Sequence, residues 1–243
     1  MIEYFELKES LLLTLFSLVA LKISGSALLL AIPYTFLFLG SAGLENSLNY
    51  ELNRIYHPGR FGPDFREAHK ISFLFLLMAV MFAYYFQVGC QFLIVILLLF
   101  ASHWIKSRYS FLSDLLYFFS FLFLFSIPLS LEHIPFAWTV ALLLYLRRAV
   151  WDLILPYGME NFNLAKLMGM GGAQSAFYLI SALVMMWMAV PAVIYYSLYA
   201  SLYAIPFSFV FMAIYLVKTG RQNEVPDVLD GALLSYLLVS IFL

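Results

Sequence analysis

The chain has 243 residues, of which 64% are hydrophobic and only 11% charged, with a formal net charge of −1. Soluble domains carry roughly 25% charged residues, so this composition excludes an ordinary water-facing surface, and the near-zero net charge excludes a nucleic-acid binder. Spanning helices of about 20 residues each consume the whole length, which leaves a single transmembrane domain over residues 1–243.

The N-terminal MIEYFELKES is acidic and no small-residue cleavage site follows its apolar run, so no cleaved signal peptide is expected. The first apolar stretch, Ser10–Gly43, is too long for one helix. Lys22, Ser24, Gly25 and Ser26 near its middle mark a hinge between two short helices. Further spans follow at Ile71–Gln87, Gln91–Trp104, Leu115–Leu131, Ile134–Leu146, Gln174–Ala189, Ala192–Val217 and Gly231–Leu243. The total is nine helices, or eight if the first two are one broken helix. Cys90 lies between two apolar runs and reads as a small buried apolar residue.

Three connections are very short: Val88–Gly89, Glu132–His133 and Val190–Pro191. Four are longer and polar: Glu45–Lys70, Ile105–Asp114, Arg147–Gly172 and Lys218–Asp230. Alternation puts these four on one side, with Arg54, Arg60, Arg66, Lys70, Lys106, Arg108, Arg147, Arg148, Lys166, Lys218 and Arg221. Only Lys22 falls opposite. Lys and Arg stay cytoplasmic in short loops, so the long polar loops are expected in the cytoplasm. The chain is expected to be an integral, multi-pass membrane protein.

In the first long loop, Asn46, Asn49 and Asn53 recur at i, i+3 and i+7 and share a helix face. Glu45 precedes them, and Arg54, His57, Pro58 and Arg60 follow. Oxygen-bearing side chains leaving the membrane, then basic residues, suit a phosphorylated headgroup. The same residues also suit a solvated, Asn-rich helix end. After the sixth span come Arg147, Arg148 and Asp152, with Pro156 and Glu160 at i+4 and i+8 from Asp152.

These segments resemble the two signatures of the UbiA-type intramembrane prenyltransferases. Glu45-Asn46-x-x-Asn49-x-x-x-Asn53-Arg54, with His57-Pro58-Gly59-Arg60, matches the first, with Asn at all three Asp positions. Arg147 to Glu160 matches the second, with Asp152 and Glu160 kept and Pro156 at the middle position.

The resemblance implies an all-α bundle of nine helices that binds an isoprenyl diphosphate lipid in a cavity facing the cytoplasm. It implies Mg²⁺ held by Asp152 and Glu160, which are also the implied catalytic residues. Headgroup contacts would come from Asn46, Asn49, Asn53, Arg54, His57, Arg60, Lys106, Arg108, Arg147 and Arg148. Asn carries no charge, so the Asp-to-Asn changes argue against ordinary Mg²⁺-dependent transfer. A lipid-binding or assembly protein without turnover, or a Mg²⁺-independent cyclase-like enzyme, stands as the alternative. Asn46→Asp, Asn49→Asp and Asn53→Asp are expected to rebuild a carboxylate cluster.

The remaining signals are weaker. His57, His69, His103 and His133 have no metal-ligand spacing. His103 and Trp104 read as interfacial anchors. The MGMGG run containing Gly169 reads as a flexible helix entry, Pro191 as a turn and Pro206 as a kink. Asp230 reads as a cap of the last helix, with a place in the site as the other reading.

Overall fold

Lipid offers no partner to backbone N–H and C=O groups, so a chain of this composition is driven into helices. The computed structural model describes residues 5–51, 64–106, 108–129, 133–154, 163–195 and 198–241, with side chains described outside 191–200. Among the described residues there are nine α-helices, a few short 3₁₀ turns and no strand. The helices are α1 Leu7–Ile23, α2 Ala31–Leu48, α3 Phe65–Tyr85, α4 Gly89–Ile105, α5 Ser110–Ser126, α6 Ile134–Ile154, α7 Leu164–Tyr195, α8 Ala204–Lys218 and α9 Val225–Ile241.

The hinge in the first apolar stretch is real. Gly25 adopts a φ of 67° between α1 and α2, in the left-handed region that favours glycine. The connection expected at Val190–Pro191 is absent: α7 runs through Pro191 to Tyr195, and the break comes later, at the 3₁₀ turn Leu198–Tyr203. Proline is tolerated inside membrane helices because breaking the helix would leave more backbone groups unpaired. Pro206 sits in the first turn of α8, where the missing N–H had no helical partner to lose. The glycine-rich run bends α7 at Gly169, with φ 72° and ψ 167°. Arg147 and Arg148 are helical, because α6 extends to Ile154 rather than ending before them. Cys90 is exposed on the first turn of α4, not buried.

Each helix packs on the next in sequence, α9 closes the ring on α1, and α9 and α2 also touch α6 and α4 respectively. α6 is the most enclosed: 67% of its apolar window is buried, against 28% for those of α3 and α7. Large apolar side chains such as Leu77, Met81, Leu97, Phe211 and Leu238 remain exposed on the outer faces. Five helical segments are long and apolar enough to cross a membrane, and α4 and α5 are shorter apolar helices. The protein is an integral membrane protein, and lipid covers these faces.

The two ends of the ring differ. At one, Lys22 of α1 donates to the carbonyl of Ile241 at the end of α9, 2.6 Å away. The start of α1, the ends of α2, α4 and α6, and the starts of α5 and α9 gather at the other. All the buried ion pairs described below lie there.

Small residues set the closest helix crossing. On α3, Ala68, Ser72, Ala79 and Ala83 form a buried stripe against α2. A Cβ added at Gly40 of α2 would lie 2.8 Å from the Leu76 side chain and 3.0 Å from its backbone nitrogen. Without a solvent-driven hydrophobic term between helices, such close approach supplies much of the packing energy. Gly40→Val is expected to separate α2 from α3 and cost about 1–3 kcal/mol by overpacking. A lowered thermal midpoint in detergent would register this, and an unchanged midpoint would refute the packing role.

Candidate functional site

Adjacent residues on an α-helix point about 100° apart, so Arg147 and Arg148 of α6 serve different neighbours. Arg147 donates through Nε to Asp230 Oδ1 of α9 at 2.7 Å and through Nη1 to Glu9 Oε2 of α1 at 3.1 Å. Arg148 donates through Nε to Asp114 Oδ1 of α5 at 2.8 Å. Its Nη1 lies 3.1 Å from both Glu45 oxygens on α2. The Arg148 guanidinium also lies 4.0 Å from the centre of the Tyr117 ring, a cation–π contact.

Glu45 collects further positive charge. Lys106, just past α4, donates to it at 2.5 Å, and His103 Nδ1 lies 3.5 Å away. Lys8 approaches Asp230 at 3.6 Å. Glu9, Glu45, Asp114 and Asp230 are thus matched by Lys8, Lys106, Arg147 and Arg148, tying six helices together at one end. Removing one partner of such a buried pair typically costs about 3–5 kcal/mol, because the other charge is left unpaired. The network therefore fixes the relative positions of α1, α2, α5, α6 and α9 as well as forming the site. Two buried nitrogens of the network have no hydrogen-bond partner among the described residues, Arg148 Nη2 and His103 Nδ1, and the first is a charged donor.

A small cavity lies against the network. Glu6, Glu9, Ser41, Glu45 and Tyr117 line it toward the charged end, and Leu13, Phe38 and Phe121 line it toward the interior. Phe38 and Phe121 stack with centroids 5.9 Å apart and close off its deep side. Phe125, Phe16 and Phe136 continue the aromatic column inward. Ser41 Oγ lies 2.9 Å from Nε2 of the fully buried His103, whose Nδ1 faces Glu45. His103 Nδ1 makes no hydrogen bond among the described residues, so the hydrogen-bonded pair here is Ser41–His103, with the ring tautomer deciding which group donates.

The structure brings together three residues expected in the site: Lys106, Arg147 and Arg148. It also brings Asn46 and Asn49 to the same end, but not as one helix face: Asn46 lies in the last turn of α2, while Asn49 is the residue that ends the helix, with φ −102° and ψ 27°. Asn49 Nδ2 donates to the carbonyls of Glu45, at 2.9 Å, and His103, at 3.4 Å, pinning α2 to α4. Asp152 is buried and accepts from the backbone N–H of Leu164 at 2.8 Å. There it helps Asn163, whose Oδ1 accepts from Lys166 N at 2.7 Å, to satisfy the first turn of α7. Arg108 is exposed beyond α4. Asn53, Arg54, His57, Arg60, Pro156 and Glu160 lie outside the described residues. Among the described residues, no group of three or more His, Cys, Asp or Glu is placed to hold a metal ion.

Two expectations are corrected. Asp230 does not cap the last helix, which begins five residues earlier at Val225; its carboxylate belongs to Arg147. His103 is not an interfacial anchor but a buried partner of Ser41, while Trp104 beside it is exposed. Glu9, Ser41, Asp114 and Tyr117 belong to the charged network or its cavity, and motif reading passes over them. A usable signal existed for the acids. Asp114 is the one acid at the start of its apolar run and Glu9 is the last acid before the first run, and ionisable groups at such edges tend to face a bundle interior.

The fold has solved counterparts. A digeranylgeranylglyceryl phosphate synthase superposes with a TM-score of 0.73 at 17% identity, over 100% of this chain and 98% of that one. A UbiA homologue from Aeropyrum pernix K1 superposes with a TM-score of 0.70 at 13% identity, over 98% of each chain. This is the fold of the UbiA-type intramembrane prenyltransferases. At these identities the likeness is one of architecture. No family model and no curated protein matches the sequence. The UbiA-like topology expected from the loop motifs is present along the full chain.

Asn49→Asp tests how far the asparagines are structural. A carboxylate there would lose both donated hydrogen bonds and set oxygen against two carbonyl oxygens in a buried place. The expected loss is about 1–3 kcal/mol, because the His103 carbonyl loses its donor while the Glu45 carbonyl keeps the Asn49 backbone N–H. A thermal midpoint equal to wild type would show that Asn49 is free to become a metal ligand, as motif reading alone expected.

Proposed function

We propose that this protein binds an isoprenoid lipid by an anionic, phosphate-bearing headgroup at its charged end, with the prenyl chain entering between the aromatic side chains beneath. The carrying observation is the buried Arg148 Nη2, a charged donor without an acceptor. Lys106 lies on the same carboxylate, Glu45, and Glu45 and Tyr117, both partners of Arg148, line an aromatic-walled cavity. An unsatisfied buried donor calls for a ligand or ion, and a guanidinium beside an ammonium favours phosphate oxygens. A fold shared with a digeranylgeranylglyceryl phosphate synthase supports an isoprenoid as the lipid. The excess of Lys and Arg in the loops at this end supports its facing the cytoplasm.

The same pose serves transfer. Breaking the allylic C–O bond sends the electron pair to the departing phosphate oxygen, where Arg148 and Lys106 offset its charge. The allylic cation left behind would meet the faces of Tyr117 and Phe121 until an acceptor nucleophile closes the new bond. Binding without turnover would use the same contacts.

Purified protein should bind geranylgeranyl diphosphate more tightly than geranylgeraniol, by about tenfold or more if one charge-assisted hydrogen bond is gained. Equal affinity for the two would overturn the headgroup assignment. Incubation of labelled diphosphate with candidate acceptors then separates transfer from binding. Phe121→Ala removes half of the stacked pair that closes the cavity. It is expected to shift preference toward longer prenyl chains, while costing about 3–5 kcal/mol of stability. Unchanged chain preference in a folded variant would place the chain elsewhere.

A further inference from the structure

We infer that Arg148 is a built-in cation standing where an oxygen-ligated divalent metal would otherwise bridge two carboxylates, so that the site operates without Mg²⁺. This rests on the donor set alone and not on the identity of the lipid.

A bound Mg²⁺ needs several anionic or carbonyl oxygens converging at short range in near-octahedral geometry. Glu45 and Asp114, from α2 and α5, are the two carboxylates that approach one another across the end of α6. The Arg148 guanidinium lies between them, with Nε on Asp114 and Nη1 on Glu45. Glu45 is also bound to Lys106 at 2.5 Å. A metal entering here would have to displace Arg148 and leave a buried guanidinium without partners, a strongly unfavourable exchange. Glu6 and Glu9 line the cavity beside Glu45, with Glu9 on Arg147, and among the described residues no three acidic, His or Cys side chains are placed to hold a metal. Asn49 turns its amide nitrogen onto two backbone carbonyls. Asp152 accepts from the start of α7.

A planar guanidinium with five donors can span two carboxylates as a dication does, but it differs in being covalently held. It cannot be removed by chelation, and it carries one positive charge rather than two. A site built this way is legible as a set of balanced ion pairs, and the network has that form.

The test uses the full chain in detergent and two readouts that need no substrate: Mn²⁺ binding followed by electron paramagnetic resonance, and thermal midpoint with Mg²⁺ or EDTA. Wild type is expected to bind no stoichiometric Mn²⁺ and to keep its midpoint in both media. Arg148→Ala uncovers Glu45 and Asp114, so it is expected to lose stability and to gain a Mn²⁺ site. Its midpoint should rise with Mg²⁺ by mass action. Arg148→Ala combined with Glu45→Gln and Asp114→Asn should lose that metal response. Stoichiometric Mn²⁺ on wild type, or a midpoint that falls in EDTA, would overturn the inference. So would a folded Arg148→Ala that ignores both ions. If that variant cannot be purified, the wild-type titration decides by itself. These readouts do not involve lipid, so they can fail independently of the prenyl-headgroup reading.

Discussion

Two adjacent guanidinium groups on the most enclosed helix impose the main constraint on this molecule. A charge in a membrane interior is tolerable only when paired and turned away from lipid. Arg147 and Arg148 diverge by the pitch of the helix, so no single neighbour can satisfy both. Carboxylates must arrive from several directions: Glu9 from α1, Glu45 from α2, Asp114 from α5 and Asp230 from α9. Once those pairings are required, the order of helices around α6 at that end is largely determined. The apolar contacts elsewhere, stripes of alanine and glycine and stacked phenylalanines, fill the space this arrangement leaves.

The fold was legible because its signals are long and repeated. Nine apolar runs with alternating charge asymmetry define a topology before any motif is considered, and the loop signatures pointed to the right architecture. The errors came where a local rule met a tertiary override. Pro191 reads as a turn by propensity, yet the helix continues through it. Asp230 precedes an apolar run and reads as a cap, yet helix formation begins a turn earlier and its carboxylate goes to Arg147. His103 reads as an interfacial anchor by position, but it faces inward and Trp104 faces outward, a difference of one residue in helical phase.

The site was legible only in part, for a physical reason. Motifs record spacing along one chain, and they brought out Lys106, Arg147 and Arg148, which converge. The partners that give those cations meaning come one from each of several helices, without a shared pattern. Glu9 and Asp114 are acids at the edges of apolar runs. The information lies in their cost: an unpaired carboxylate there is too unfavourable to persist, so each one implies a cation across the bundle. Four acids from four helices and two adjacent arginines amount to a pairing problem with few solutions, and that is a better guide than the degenerate aspartate motif.

The asparagines of α2 follow from the same logic. With Arg148 and Lys106 already pairing Glu45, additional carboxylates at Asn46 and Asn49 would add negative charge to an end whose buried cations, among the described residues, are already matched. An amide keeps the hydrogen-bonding capacity and drops the charge, and Asn49 uses it to fasten α2 to α4. Asn at these positions is therefore consistent with an intact, balanced site and need not mark decay. It also binds ligand entry to helix motion. The contacts an anionic headgroup would take from Arg148 and Lys106 are the contacts that hold α2 and α5 against α6. On the proposed headgroup reading, a ligand would exchange with Glu45 or Asp114 by loosening those helices, so its occupancy and the spacing of the bundle at this end would be two readings of one equilibrium.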